Sequence, residues 1–220
     1  MNDRAISTQE IIVIGGGGHA KVIISLIKKI EGWHLLGYLD DENKGKILGS
    51  QYLGNDKHLK ILKEKHPDCA AAIGVGSVAV SDKRRKIKEH LEASGFHLPA
   101  LVSPAAVVNE EVPIGQAAVI LDGVVVGAGT KIGEGVILNT SCSVDHDCQI
   151  GDFVHVAPGV IVSGGVVVGK NCLLSTGCVV IQYRTIADNC LIGAGATVVD
   201  DCLKEGCYLG TPARLMPSAM

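Results

Sequence analysis

At 220 residues, 47% hydrophobic but only 3% aromatic, the chain has ample core material and few large rings, which suits thin aliphatic layers. A net charge of −3 without a basic block excludes nucleic acid as a natural partner, and no run of about 18 apolar residues offers a membrane span. The polar start MNDRAISTQE is not a secretory leader, so a cytoplasmic location is expected.

Residues 11–14 (IIVI) predict a short buried strand, followed by GGGGHA at 15–20 and a helix from Lys21 to Ile30 with apolar residues at helical spacing. A second strand is expected from Trp33 to Leu39, ending at Asp40 and Asp41. A helix over 56–66 leads to a strand over 69–73, then to Gly74-Val75-Gly76-Ser77 and a helix over 81–93. This alternation implies a parallel α/β sheet of Rossmann type, and residues 1–100 are read as one domain. Gly15, Gly17 and Ala20 match G-x-G-x-x-A between strand and helix, with Asp40 closing the second strand. Such a loop offers close backbone approach and a helix N-terminus to an anion. A nucleotide-sugar site, a dinucleotide site and a structural domain that binds nothing all fit those residues, and the first is preferred.

From residue 102 onward every sixth residue is a branched aliphatic: Val102, Val108, Ile114, Ile120, and so on without a slip to Val198. Four places after each anchor stands a mostly small residue, among them Ala118, Thr130, Cys142, Cys148, Cys172, Cys178 and Cys190; Arg184 is the intruder. A helix cannot use a period of six, whereas short strands can, so the anchor and the residue four later both point inward before a turn. Stacked in parallel, such units form a prism-like solenoid over residues 101–220, three hexads to a coil and on the order of 25–30 Å long. Six of the eight cysteines sit at the inward small position, which makes them core hydrophobes rather than ligands or nucleophiles.

The segment from Asn139 to Gly165, NTSCSVDHDCQIGDFVHVAPGVIVSGG, holds the only two histidines of the repeat, His146 and His155. Neither is at an inward phase. Asp145 or Asp147 can hydrogen-bond His146, fix its tautomer and raise its basicity. A zinc site would need a third protein ligand, and the repeat has no third histidine, so no metal is expected.

From GGGGHA through the HD pair to GTPAR at 210–214, the chain resembles bacterial sugar O- or N-acyltransferases of the sialic acid O-acetyltransferase type. Its likeness is strongest to acetyltransferases of nucleotide-linked 4-amino-4,6-dideoxy sugars. The resemblance implies a Rossmann-like domain followed by a left-handed parallel β-helix of hexapeptide repeats, acetyl-CoA as co-substrate, a nucleotide sugar as acceptor and a homotrimer. It implies His146 as general base with Asp147 beside it. His155 would contact acetyl-CoA, Gly164 would offer a backbone N–H to the acyl oxygen, and Thr176 and Ala194 would touch the coenzyme further along. For the nucleotide sugar it implies Gly17, Gly18 and His19 at the phosphates, and Asp40, Asp41 and Gly74 around base and ribose. O-acetylation of sialic acid or a related sugar is the alternative.

Overall fold

The computed structural model describes residues 8–217, which divide into two compact units. One runs to Gly76 and resumes over Lys86–Pro99; the other comprises Ser77–Arg85 and the chain from Ala100 onward.

The first unit is a four-stranded parallel sheet. Strand β1 (Gln9–Ile14) lies between β2 (Trp33–Leu39) and β4 (Ala70–Ile73), and β3 (Tyr52–Gly54) flanks β2. Ile11, Ile12 and Val13 are fully buried, as expected of a central strand covered on both faces. Helix α1 (Gly18–Ile27) begins three residues before the sequence predicts and takes two of the motif glycines into its first turn and cap. It buries Ala20, Ile23, Ile24, Leu26 and Ile27. Strand β3 is absent from the sequence expectation because three residues carry no readable periodicity; its register with β2 pairs Tyr38 with Tyr52 and Leu39 with Gly54. The helix expected over 56–66 splits into a 3₁₀ turn (Asp56–His58), capped by Asn55, and α2 (Leu59–Lys65). Helix α3 spans Lys83–Ala93.

The second unit is a left-handed parallel β-helix, and its hexads appear as two-residue strands. Ile120 pairs with Leu138, then Val156, Leu174 and Ile192, a constant offset of eighteen residues and hence three hexads per coil. The first face carries His155–Val156, the second Ser143–Val144 and Ile161–Val162, the third Gln149–Ile150 and Val167–Val168. Anchors from Ile120 to Val198 are all buried, with Val124, Val136, Val154, Val160, Val166, Ala196 and the six inward cysteines filling the layers between them. The period survives to Val198 and then shortens: Ile186 bridges Cys202 and Ile192 pairs Tyr208, each sixteen residues on. Arg184 does not enter the core; its guanidinium lies outside and reaches Asp201 at 3.8 Å.

Each turn between Val108 and Val198 contains one residue in the left-handed backbone region, three places after the anchor. The series runs from Glu111 through Ala117, Gly123, Ser141, Asp147, Phe153, Gly165, Tyr183 and Asn189 to Gly195, with φ between 55° and 73°. The glycines directly after the anchors serve another purpose. A Cβ on Gly127 would stand 2.4 Å from the His146 amide nitrogen, so their absence of side chain lets successive coils stack.

Burial pushes the thiols of Cys142 and Cys178 up to about 12, which leaves them protonated and unreactive. Alkylation of the folded protein is expected to reach the half-buried Cys207 ahead of the seven buried cysteines. Cys142→Ala and Cys178→Ala should each cost about 1 kcal/mol of stability through lost burial. Mass-spectrometric mapping of labelled thiols and melting curves check both, and ready modification of Cys142 in the native state would contradict its inward placement.

Candidate active site

On the prism, side chains at one phase of the repeat stack along a corner. His146 and Gly164 stand two residues past Val144 and Val162, anchors that pair across adjacent coils, so both occupy the corner between the second and third faces. Thr176 and Ala194 follow Leu174 and Ile192, which pair in the same way, and are exposed on the corner between the first and second faces. Four of the five residues expected at the acyl donor and its base therefore fall into two pairs on neighbouring corners, and the fifth, His155, lies on a strand.

The His146 imidazole projects into solvent, its side chain 53% exposed, and its Nδ1 donates to Asp147 Oδ2 at 2.8 Å. This bond fixes the Nδ1–H tautomer and leaves the Nε2 lone pair available. The Asp147 hydrogen bond raises the imidazole pKa above its ordinary value, with the charges of Asp145 and Asp147 adding to the effect. Asp147 occupies the left-handed position of its turn, at φ 57°, a conformation that aspartate tolerates better than most residues. Asp145 serves the backbone instead, its Oδ1 accepting from the His146 N–H at 2.8 Å.

Glycines shape the space around the pair. A Cβ on Gly164 would lie 2.5 Å from His146 Nε2, and one on Gly129 would lie 2.9 Å from Asp147 Oδ1. Gly164 is buried under the ring, and its N–H donates to no other described residue. The left-handed corner residue is not Gly164 but its neighbour Gly165, at φ 68°, whose N–H donates to the His146 carbonyl at 2.9 Å. Glycine at 164 thus serves close approach to the ring rather than a left-handed turn.

His155 behaves differently from its partner in the motif. It lies on the first face, only 7% exposed, covered by the Ser77–Arg85 segment that clusters with the prism. Its Nδ1 donates to the Ser77 carbonyl at 3.0 Å, and Asn139 Nδ2 donates to its Nε2 at 3.1 Å. Burial first, and the positive charge of Arg84 second, pull its pKa down to about 4. His155 is consequently neutral, with both ring nitrogens engaged inside the protein. Arg84 is itself buried and bonds the carbonyls of Gly135 and Phe153 while its Nε donates to Ser77 Oγ at 2.9 Å. Asn139, Arg84 and Ser77 escape sequence reasoning, since a basic run such as KRRK reads as a solvated helix face.

In the first unit the expected contacts divide by environment. Gly17 and Gly18 are exposed, with open space where a Cβ would project, and the fold itself does not require glycine at either place. Gly17 caps α1, whose first turn holds no acidic residue and no side-chain cap, so its amides face outward. His19 is half-buried beside Gly76, and Asp41 is exposed. Asp40 is already committed: its Oδ2 accepts from Gly16 N–H at 2.6 Å and its Oδ1 from Glu42 N–H at 3.0 Å. It ties the glycine loop to the end of β2. Gly74 is interior, because a Cβ there would come within 2.7 Å of Val13 Cγ1 and 3.0 Å of Ala20 Cβ.

Residues 10–91 match the family described as the PglD N-terminal domain. The perosamine N-acetyltransferase of Caulobacter crescentus, solved as a histidine-to-asparagine mutant with CoA and GDP-perosamine, is 31% identical. The match covers 95% of this chain and 97% of that one with a TM-score of 0.89. This chain belongs to the same acetyltransferase family. A second family structure, the acetyltransferase domain of PglB from Neisseria gonorrhoeae with acetyl coenzyme A, is 34% identical over 95% of this chain and 100% of its own, with a TM-score of 0.87. UDP-N-acetylbacillosamine N-acetyltransferase of Bacillus subtilis is 33% identical over 114 residues, and the matched stretch spans 51% of each protein.

Within this family fold, the contact between Gly164 and the imidazole yields a structural test that needs no substrate. Gly164→Ala should displace the His146 ring, loosen its bond to Asp147 and return its pKa toward 6.5. An NMR titration of the imidazole reads the change, and an unaltered titration would mean that the ring does not rest on Gly164.

Proposed function

We propose that the protein transfers the acetyl group of acetyl-CoA to the 4-amino group of a nucleotide-linked amino-deoxy sugar by direct attack. The observation that carries this reading is the His146–Asp147 pair at 2.8 Å on a hexapeptide prism, with Nε2 unencumbered beside Gly164. The family's structures with CoA, acetyl-CoA and GDP-perosamine support the two substrates.

His146 Nε2 takes the proton that the amine loses as it attacks the thioester carbon. Asp147 holds the tautomer and stabilises the imidazolium that forms. The Gly164 N–H faces the acyl oxygen as negative charge develops there. No acyl-enzyme is needed: the cysteines nearest this corner are inward and protonated. His155, neutral and doubly bonded, is unsuited to proton transfer; it orders the donor side together with Asn139, and Thr176 and Ala194 contact the coenzyme. In the first unit, Gly17, Gly18 and His19 receive the phosphates and Asp41 the nucleoside, while Asp40 and Gly74 shape the loop that does so. A cytoplasmic location suits free buried thiols and a soluble coenzyme, and no helix among the described residues is long and apolar enough to cross a membrane.

His146→Ala should lower kcat by roughly 10²–10⁴ while the melting temperature holds, since the side chain is 53% exposed and bonded only to its neighbour Asp147 among the described side chains. The base works in its neutral form, and its folded pKa is raised, so activity should fall as pH drops through a value above 6.5. Asp147→Asn removes the main cause of that rise and should move the acid limb of kcat/KM to lower pH. Steady-state kinetics with acetyl-CoA and a 4-amino nucleotide sugar decide: wild-type turnover in folded His146→Ala would place the base elsewhere.

A homotrimer completes the site in this reading. The second face carries Val107, Val125 and Ile161 facing outward, against Val167 alone among the exposed large hydrophobics described on the third. It separates the corner bearing His146 from the corner bearing Thr176 and Ala194, which favours a neighbouring copy that supplies one of the two. Sedimentation should give a trimer, and Ile161→Lys should dissociate it; a stable wild-type monomer at micromolar concentration would contradict this.

A further inference from the structure

At several corners of the prism the turn closes on itself. The amide four places past the anchor donates to the carbonyl one place past it, as Cys142 does to Asn139, Cys178 to Ser175 and Ala196 to Gly193, each at 3.1 Å. The turn that carries His146 and Asp147 lacks this bond and, like the turn in which the Cys172 thiol donates to the Ala187 carbonyl at 3.0 Å and accepts from the Cys190 N–H at 3.4 Å, has a side chain in its place. In the His146 turn the Thr130 hydroxyl, from the preceding coil, stands between the two groups. It donates to the Asp145 carbonyl at 2.6 Å and accepts from the Cys148 N–H at 3.1 Å. The arrangement continues upward, where the Cys148 thiol donates to the Ser163 carbonyl at 3.2 Å, at the start of the turn containing Gly164.

Thr130 is fully buried and is the only hydroxyl in the inward series, whose neighbours are Val136, Val154, Val160 and Val166 or Ala and Cys. Valine has the same shape as threonine without the hydroxyl, and a hydroxyl in an aliphatic layer must be desolvated. Core packing alone would therefore be served by valine here, as it is at those neighbouring positions.

We propose that Thr130 is a positioning residue for the acyl transfer, its buried hydroxyl holding the 145–148 turn open and so setting where His146 and Asp147 stand. The proposal rests on the reading of His146 as the base. Without the hydroxyl, the Cys148 N–H and the Asp145 carbonyl lose their shared partner, and the turn relaxes toward the closed form seen at the Asn139, Ser175 and Gly193 turns. The peptides on either side of His146 then rotate, and a shift on the order of 1 Å at a reacting group can cost about 10²-fold in rate.

The test compares Thr130→Val, which keeps the volume, with Thr130→Ser, which keeps the hydroxyl. Thr130→Val should lower kcat by roughly 10- to 10²-fold with KM for both substrates within about threefold of wild type, and Thr130→Ser should recover most of that rate. Cys142→Ala, an inward truncation at another corner, supplies a stability-matched control whose kcat should stay at the wild-type value. If Thr130→Val does not fold, Thr130→Cys replaces it, retaining the weaker donor that Cys148 uses one coil on, and should give an intermediate kcat. An NMR titration of the His146 ring needs no substrate and separates this proposal from the functional reading: Thr130→Val should loosen the Asp147 pairing and lower the ring's pKa. Wild-type kcat and titration in Thr130→Val, an equal rate loss in Cys142→Ala, or no recovery with Thr130→Ser would each overturn the proposal.

Discussion

Closing a coil in eighteen residues demands three sharp turns, and each turn needs one residue with φ near +60°. That single requirement governs the prism. L-residues other than glycine resist this conformation, at a cost of order 1 kcal/mol or more, and only a well-packed surrounding holds them in it. The packing comes from the inward layers, where each anchor and the residue four places later meet their equivalents eighteen residues away. Among the described residues Tyr208, in the last coil, is the one aromatic in that core cluster, in keeping with a chain rich in Val, Ile and Cys and poor in Phe and Trp.

The same constraint decides where chemistry can occur. Strand residues are either buried or spread on a flat face, so only the corners present backbone groups and side chains at a sharp convex edge. His146 and Asp147 occupy such an edge, adjacent in sequence, and the left-handed φ of Asp147 lets its carboxylate reach back to Nδ1. The stacking distance then places Gly164, eighteen residues from His146, against the imidazole. A pair of residues and a glycine thus meet because the coil length converts sequence separation into contact. His155 shows the opposite outcome. Nine residues from His146, it falls on a face rather than a corner and is drawn into a hydrogen-bonded, neutral state beneath Ser77.

In the first unit the glycine-rich loop performs two duties that its sequence does not separate. Gly74 and Asp40 maintain the sheet and the loop, one by permitting close packing and the other by accepting two backbone amides. Gly17 and Gly18 have no internal reason to be glycine, and they are the open positions. Of the six residues expected around the nucleotide sugar, Asp40 and Gly74 serve the framework, and Gly17, Gly18 and Asp41 are exposed.

The period of six, the inward cysteines and the strand–helix alternation were legible in the sequence because they arise from local rules, alternation of side chains along a strand and apolar spacing along a helix. An acidic neighbour for His146 was legible too, since adjacent residues need no tertiary structure to meet, but the folded turn chose Asp147 over Asp145. Strand β3 was not, being three residues held by a register with β2 rather than by any pattern of its own. Nor were Thr130, Asn139, Arg84 and the second duty of Gly164, for each acts on a group in another coil or another segment. A hydroxyl at an inward phase reads as one more small residue until the next coil is stacked on it. Only then does its hydrogen-bonding capacity find the Asp145 carbonyl and the Cys148 amide. The sequence by itself determined the repeat and an acidic neighbour for His146, because both follow from neighbours along the chain. The three-dimensional stacking alone decided which residues support that pair, because hydrogen bonds and contact distances act across space and leave no period behind.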